Sequence, residues 1–164
     1  YAGIMIDTNN FLTKTGVRTF EAAAFLRRCG ADVTRVRKMF REHVEDYRAK
    51  GEAIRNAELF RDHFAISVCP SEGLDSPTVV GAQAANELLN IIGVKASFVL
   101  TDYRNTIYIS ARSIDEINVQ IVMERLGGGG HLNIAGAQLE HYSIAEARDV
   151  LKQTLQKMLD EGDI

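Results

Sequence analysis

Tryptophan is absent from this 164-residue chain, and cysteine and proline occur only twice each. No apolar run approaches the roughly 18 residues that a membrane-spanning helix requires. There is no amino-terminal signal pattern, internal repeat or low-complexity stretch. Each shortage excludes something. Cys29 and Cys69 show neither CxxC spacing nor a histidine at ligand spacing, which excludes a disulfide framework and a zinc ribbon and fits a reduced, cytoplasmic setting. Of the two prolines, Pro70 closes a strand-like run and Pro77 stands where a helix opens, so neither interrupts an element.

What is present describes a packed chain. Hydrophobic residues make up 46% and charged residues 25%, which argues against disorder. The length allows one domain with a real core, or a small domain with pieces of another. The net charge of −3 hides an uneven distribution, because residues 27–61 hold ten Lys/Arg against six Asp/Glu. A basic stripe of this kind attracts nucleic acid. However, Asp46 with Lys50, Glu52 with Arg55 and Glu58 with Arg61 sit at helical pair spacing, the pattern of an ordinary solvated helix face.

The opening residues, Tyr1 to Asp7, are apolar from the start, and the chain reads as a piece of a longer protein. A polar loop over 8–16 leads to a helix over 20–29, with Thr19 as its N-cap and Gly30 as its stop. Asp32 is a second N-cap, and Val33, Val36, Phe40, Val44, Tyr47, Gly51 and Ile54 then recur at spacings of three and four. That stripe predicts one connector helix of about six turns with a boundary near Arg61. Beyond it strands and helices alternate: a strand over 63–69, a helix over 78–92 begun by Ser76-Pro77 and ended by Gly93, and strands over 94–101 and 106–112 joined by a polar turn. A helix over 116–126 has Ser113 and Glu116 as capping box. A strand lies within 138–141. The last helix has Ser143 and Glu146 as capping box and Ile144, Ala147, Leu151, Leu155 and Met158 as its buried stripe. The expected fold class is α/β with a mixed sheet.

The most informative segment is Gly127-Gly128-Gly129-Gly130-His131. Four glycines leave the backbone without Cβ atoms, so its N–H groups can approach and wrap an anion, to which the histidine adds a side-chain donor. Gly127 alone also reads as a helix cap, but a cap needs one glycine rather than four. In the strand over 106–112, Ile107, Ile109 and Ala111 share one face, leaving Tyr108, Ser110 and Arg112 on the other. An arginine fork beside glycine N–H groups suits a phosphodiester or terminal phosphate. Read by itself, Arg112 is equally a strand-end charge in solvent.

Ser110-Ala111-Arg112-Ser113, Asn118-Val119 and Gly128-Gly129-Gly130-His131 with Ala135 and Gly136 resemble the DHHA1 substrate-binding domain of the DHH phosphoesterase superfamily. Ala2-Gly3-Ile4-Met5-Ile6-Asp7-Thr8 is similar to the last motif of the DHH catalytic domain. Thr15-Gly16-Val17-Arg18-Thr19-Phe20 with Glu21-Ala22-Ala23, and the tail Ala137-Gln138-Leu139, resemble the membrane-anchored cyclic-di-AMP phosphodiesterases. The resemblance implies three parts: residues 1–31 as the end of a DHH domain, 32–61 as the connector helix and 62–164 as a DHHA1 domain.

The same resemblance implies a chemistry. Two manganese ions, held by several aspartates and histidines, would activate a water that attacks a phosphodiester. Asp7 matches the last of those metal-ligating aspartates, and the other motifs are absent from these residues. Gly128, Gly129, Gly130 and His131 would hold a substrate phosphate, with Arg112 neutralising a second charge and Ser110 as an additional contact. His131 as a general acid is the alternative to His131 as a positioning group. The implied parent is a signalling hydrolase that converts cyclic di-AMP to linear pApA, anchored to the membrane through upstream segments, while the present chain by itself is expected to be inactive. Its expected partners are a cyclic dinucleotide or short oligonucleotide and the upstream DHH domain, with a homodimer left open. The alternatives are an exonuclease of very short RNA, a phosphatase of phosphoadenosine phosphate, and, in another class, a non-catalytic nucleotide-binding regulatory module. Tyr103 and Tyr108 read equally as ordinary sheet residues, so base preference stays open.

Overall fold

The computed structural model describes residues 1–114 and 116–164. The chain divides into two compact units, Tyr1–His43 and Val44–Ile164. The first unit holds three helices, α1 (Ala2–Asp7), α2 (Val17–Arg28) and α3 (Val33–Met39). Its interior is small: Thr8 and Ala23 are buried, and Phe11 stacks on Phe20 with ring centroids 5.6 Å apart while Tyr1 tilts against Phe11 at 6.1 Å. Helix α2 begins three residues earlier than its composition predicts. Gly16 is the N-cap, and Thr19 reaches back so that its hydroxyl accepts from the Gly16 N–H at 3.2 Å. Asp32 caps α3 as expected, accepting from the N–H groups of Thr34 and Arg35.

The predicted six-turn connector is two helices. α3 ends at Met39, residues 41–43 are not helical, and α4 (Val44–Arg55) starts afresh within the second unit. The stripe read from the sequence is not the buried one. Tyr47 and Val44 are 63% and 55% exposed, whereas α4 buries the small residues Ala49 and Ala53. A fresh start is also favoured electrostatically, since Glu45 and Asp46 lie in the first turn of α4, at the positive end of its dipole.

The second unit is a six-stranded sheet with helices on both faces. Its strands are β1 (Glu58–Phe60), β2 (Phe64–Val68), β3 (Ala96–Tyr103), β4 (Thr106–Ser113), β5 (Gly129–His131) and β6 (Ile134–Glu140), in the order β1-β2-β3-β4-β6-β5. Only β2 and β3 run parallel, joined through helix α5 (Pro77–Leu88), and every other pair is antiparallel. The β3–β4 hairpin turns on Arg104 and Asn105, both with positive φ. Helix α6 (Val119–Arg125) is shorter than predicted. Asn118, not Ser113, caps it, because Ser113 is still the last residue of β4 and gives its N–H to the Asn133 carbonyl. Helix α7 (Ile144–Glu161) carries the expected capping box and buries Ala147, Leu151, Leu155 and Met158.

The two sheet faces differ in composition. On one, Phe64, Ile66, Phe98, Leu100, Ile107 and Ile109 pack beneath Val119, Val122 and Met123 of α6 and the buried stripe of α7. On the other, Ala65 and Val99 meet small residues of α4 and α5, among them Ala53, Ala84 and Ala85. Two buried hydroxyls stitch that layer to the sheet: Ser67 donates to the Ala53 carbonyl at 2.5 Å, and Ser97 to the Ala85 carbonyl at 2.6 Å. Cys69 is buried in the same layer, where burial, helped by Glu52, pushes its thiol up to about 11.

Candidate functional site

The open part of the second face is where the unassigned polar residues gather. Paired residues in a sheet share a face, so the register builds three successive rungs. Tyr108 lies opposite Gln138. Ser110 lies opposite Gly136, which in turn lies opposite Gly129. Arg112 lies opposite Ile134, which lies opposite His131. The middle rung has no side chain on two of its three strands, and it floors a cleft of about 470 Å³. Thr78, Tyr108, Ser110, Gln138 and the backbone of Gly127 to Gly129 line this cleft. Helix α5 runs along its flank. Thr78 lines one end, and eight residues further along α5 Asn86 reaches Arg112, one rung beyond the lining. Eight helical residues and four strand residues span similar lengths, about 12 and 13 Å.

The glycine run does more than one job. Gly127 comes directly after the last turn of α6 with φ +78°, and its N–H bonds the Glu124 carbonyl. Gly128 gives its N–H to the Met123 carbonyl at 2.8 Å, and a Cβ there would fall 2.1 Å from the Gly136 oxygen. Gly130, at φ +151°, would place a Cβ 2.5 Å from the Ala135 Cα. These three therefore let α6 end and let β5 lie close against β6. Gly129 differs from Gly128 and Gly130, since a Cβ there would meet nothing within 4 Å, and from Gly127, which is as open but has a positive φ. In place of the expected glycine loop the run is a helix end followed by a strand. The Gly127 and Gly128 N–H groups are already engaged within the protein. Of the four, Gly129 alone combines a place on the cleft, open space at its Cβ and a φ outside the positive region that disfavours side chains. As the edge strand, β5 also keeps backbone polar groups on its outer side without a strand partner.

Arg112 is not a solvent charge. Half-buried, it donates from Nε to Asn86 Oδ1 at 3.0 Å and from Nη1 to its neighbour's Ala111 carbonyl at 2.8 Å. Burial lowers its pKa from the ordinary arginine value, yet a guanidinium stays charged. Among the described residues no carboxylate pairs with it, and Nη2 has no partner. A partly desolvated cation held by neutral groups has the chemistry to pair with an anion. Sequence reasoning misses Asn86, because an asparagine inside a helix carries no signal until the sheet brings Arg112 to it. His131 is exposed on β5, two strand spacings or about 10 Å from Arg112 across Ile134.

Asp7 lies in the first unit, exposed at the end of α1, where a carboxylate opposes the helix dipole. Among the described residues no group of three or more His, Cys, Asp or Glu could hold a metal ion. One carboxylate by itself does not fit a two-metal centre. No helix among the described residues is long and apolar enough to cross a membrane.

Residues 63–157 match the DHHA1 domain family. The chain is 43% identical over 92% of its length to the cyclic-di-AMP phosphodiesterase PdeA of Listeria monocytogenes. It is 42% identical over 98% of its length to the cyclic-di-AMP phosphodiesterase GdpP of Bacillus subtilis. It covers 23% and 25% of those proteins, and so spans about a quarter of the length of the curated relatives it matches. Among solved structures, an exopolyphosphatase-related protein from Bacteroides fragilis shares the fold, with a TM-score of 0.84 at 23% identity over 94% of this chain and 48% of that one.

Proposed function

The chain belongs to the DHHA1 family of DHH phosphoesterases, and from that premise we propose that it is the substrate-binding part of a manganese-dependent phosphodiesterase that hydrolyses cyclic di-AMP to linear pApA. In this reading residues 1–31 end the DHH domain, 32–61 connect it to the DHHA1 domain, and 62–164 hold the substrate. The observation that carries the reading is Arg112, a cation without a carboxylate partner among the described residues, fixed by Asn86 one rung from a floor of bare glycine backbone.

A phosphate seated over Gly129 and Gly136 meets no side chain from below, takes a charge-assisted bond from Arg112 Nη2 and a second donor from His131, and has the Ser110 hydroxyl beside it. Gly128 and Gly130 serve this seat by holding β5 against β6. These contacts address an anion present before and after cleavage, so they contribute to binding and orientation more than to the chemical barrier. Manganese, bound by Asp7 together with ligands from the upstream DHH domain, would supply the activated water. Upstream segments would anchor the parent to the membrane, leaving this part in the cytoplasm.

The test is to incubate the purified chain with cyclic di-AMP, with and without manganese, and to track linear product by chromatography alongside binding by calorimetry. Binding without turnover is expected. Metal-dependent turnover would contradict the division of labour, and absence of binding would contradict the site.

A further inference from the structure

On the side of the bare rung away from Arg112, the cleft is lined by Tyr108, Gln138 and Thr78, to which the phosphate reading gives no role. Tyr108 is half-buried, and its ring lies 6.5 Å from that of Tyr103 at an interplanar angle of 51°. The register sets Tyr103 opposite Thr106 and Thr101 opposite Tyr108, so both tyrosines stand on the open face. The Arg104 guanidinium lies 4.9 Å over the Tyr103 ring, which braces the pair from the hairpin side. Gln138 is exposed, and among the described residues its amide has no hydrogen-bond partner. That amide offers one donor and one acceptor side by side.

The cleft is therefore polarised. Beyond one end, one rung outside its lining, stands a held cation. The other end, four strand residues or about 13 Å from that cation, presents an aromatic face and an unengaged amide. A nucleotide has the same polarity, with charge on its phosphate and a flat, hydrogen-bonding base at its far end. Resting on the phosphate assignment of the Arg112 end, we propose that Tyr108 and Gln138 form a nucleobase subsite selective for adenine. Tyr108 stacks on the base, and the Gln138 amide pairs with N6–H and N7. An amide matches that donor-and-acceptor edge of adenine, whereas guanine presents two acceptors, O6 and N7, in the same place. Thr78, at the start of α5, closes the subsite opposite the sheet.

The experiment titrates the 164-residue chain with cyclic di-AMP and with cyclic di-GMP, which share phosphates and sugars and differ only in the base. The wild type is expected to favour the adenine ligand roughly tenfold, and Gln138→Ala to erase that preference, the scale of one bidentate base contact. Tyr108→Leu is expected to weaken both ligands about tenfold, the loss of one base stack, while Tyr108→Phe retains both. Arg112→Ala weakens both equally. Equal wild-type affinities, or a preference unchanged in Gln138→Ala, would overturn the adenine assignment while an Arg112→Ala loss left the phosphate site standing. Binding of neither ligand would overturn both. If Tyr108→Leu fails to fold, the surface variant Gln138→Ala decides the matter.

Discussion

The two faces of the sheet are built from opposite choices. Under α6 and α7, large side chains such as Phe98, Leu100 and Leu155 interlock with no exposure to water. On the opposite face the helical cover of α4 and α5 is small-residue and hydroxyl-stitched, and over β4, β6 and β5 the floor is glycine backbone with Arg112 held at its border. The first face stabilises. The second gives up packing to leave room. Substitutions on the two faces are therefore expected to separate stability from binding.

The largest effect belongs to the closed face. Phe98→Ala empties a fully buried site between the sheet and its helices and is expected to cost about 3–5 kcal/mol in urea unfolding. A loss under about 1 kcal/mol, less than such truncations cost in a packed interior, would mean that this face is not the core. Next comes Gly130→Ala, which belongs to the fold although it stands in the glycine run. Its φ of +151° is one that other residues rarely adopt, and strain of about 1–3 kcal/mol is expected, with the overlap on Ala135 adding to it. A variant as stable as the wild type would erase the distinction drawn between Gly130 and Gly129.

Arg112→Ala reverses the pattern. Hydrogen bonds to charged groups contribute roughly 1.5–3 kcal/mol, so affinity for cyclic di-AMP should fall about tenfold or more while the unfolding midpoint changes little. The smallest effect is electrostatic and lies away from the site. Glu146 accepts from the Ser143 N–H and hydroxyl, which holds its pKa below the ordinary 4.5. A lowered folded-state pKa stabilises above the unfolded value and ceases to do so as pH falls through the folded one. The Tm difference between wild type and Glu146→Gln should accordingly be constant near neutrality and shrink below pH 4.5. A difference that grew in acid would contradict the capping assignment.

How much of this is legible in the sequence depends on how local each signal is. The alternation in β4 and the Ser143–Glu146 box of α7 are local patterns, and the structure contains both. Sequence patterns mislead where tertiary contacts choose among local options. In α4 the exposed Val44 and Tyr47 outweigh Ala49 and Ala53 in the apolar pattern, yet only small residues fit close against α5 and β2. Strand β5 is hidden because glycine has low strand propensity, and only pairing with β6 makes these residues a strand. At the site, Ser110, Arg112 and the glycines announce themselves as residue types. The distinct tasks of Gly127, Gly128, Gly129 and Gly130 emerge only from the positions of Gly136 and Ala135.

In the proposed function, the open rung of Ser110, Gly136 and Gly129 is a ligand seat rather than a packing accident. Gly129→Ala probes this point with the least disturbance elsewhere, because the added methyl meets no protein atom within 4 Å and stands over the floor of the cleft. Calorimetric titration of cyclic di-AMP into this variant and the wild type, beside their urea unfolding curves, is the measurement. The expected result is affinity reduced at least severalfold with stability nearly unchanged. Unchanged affinity in the folded variant would contradict the assignment of the rung as a seat.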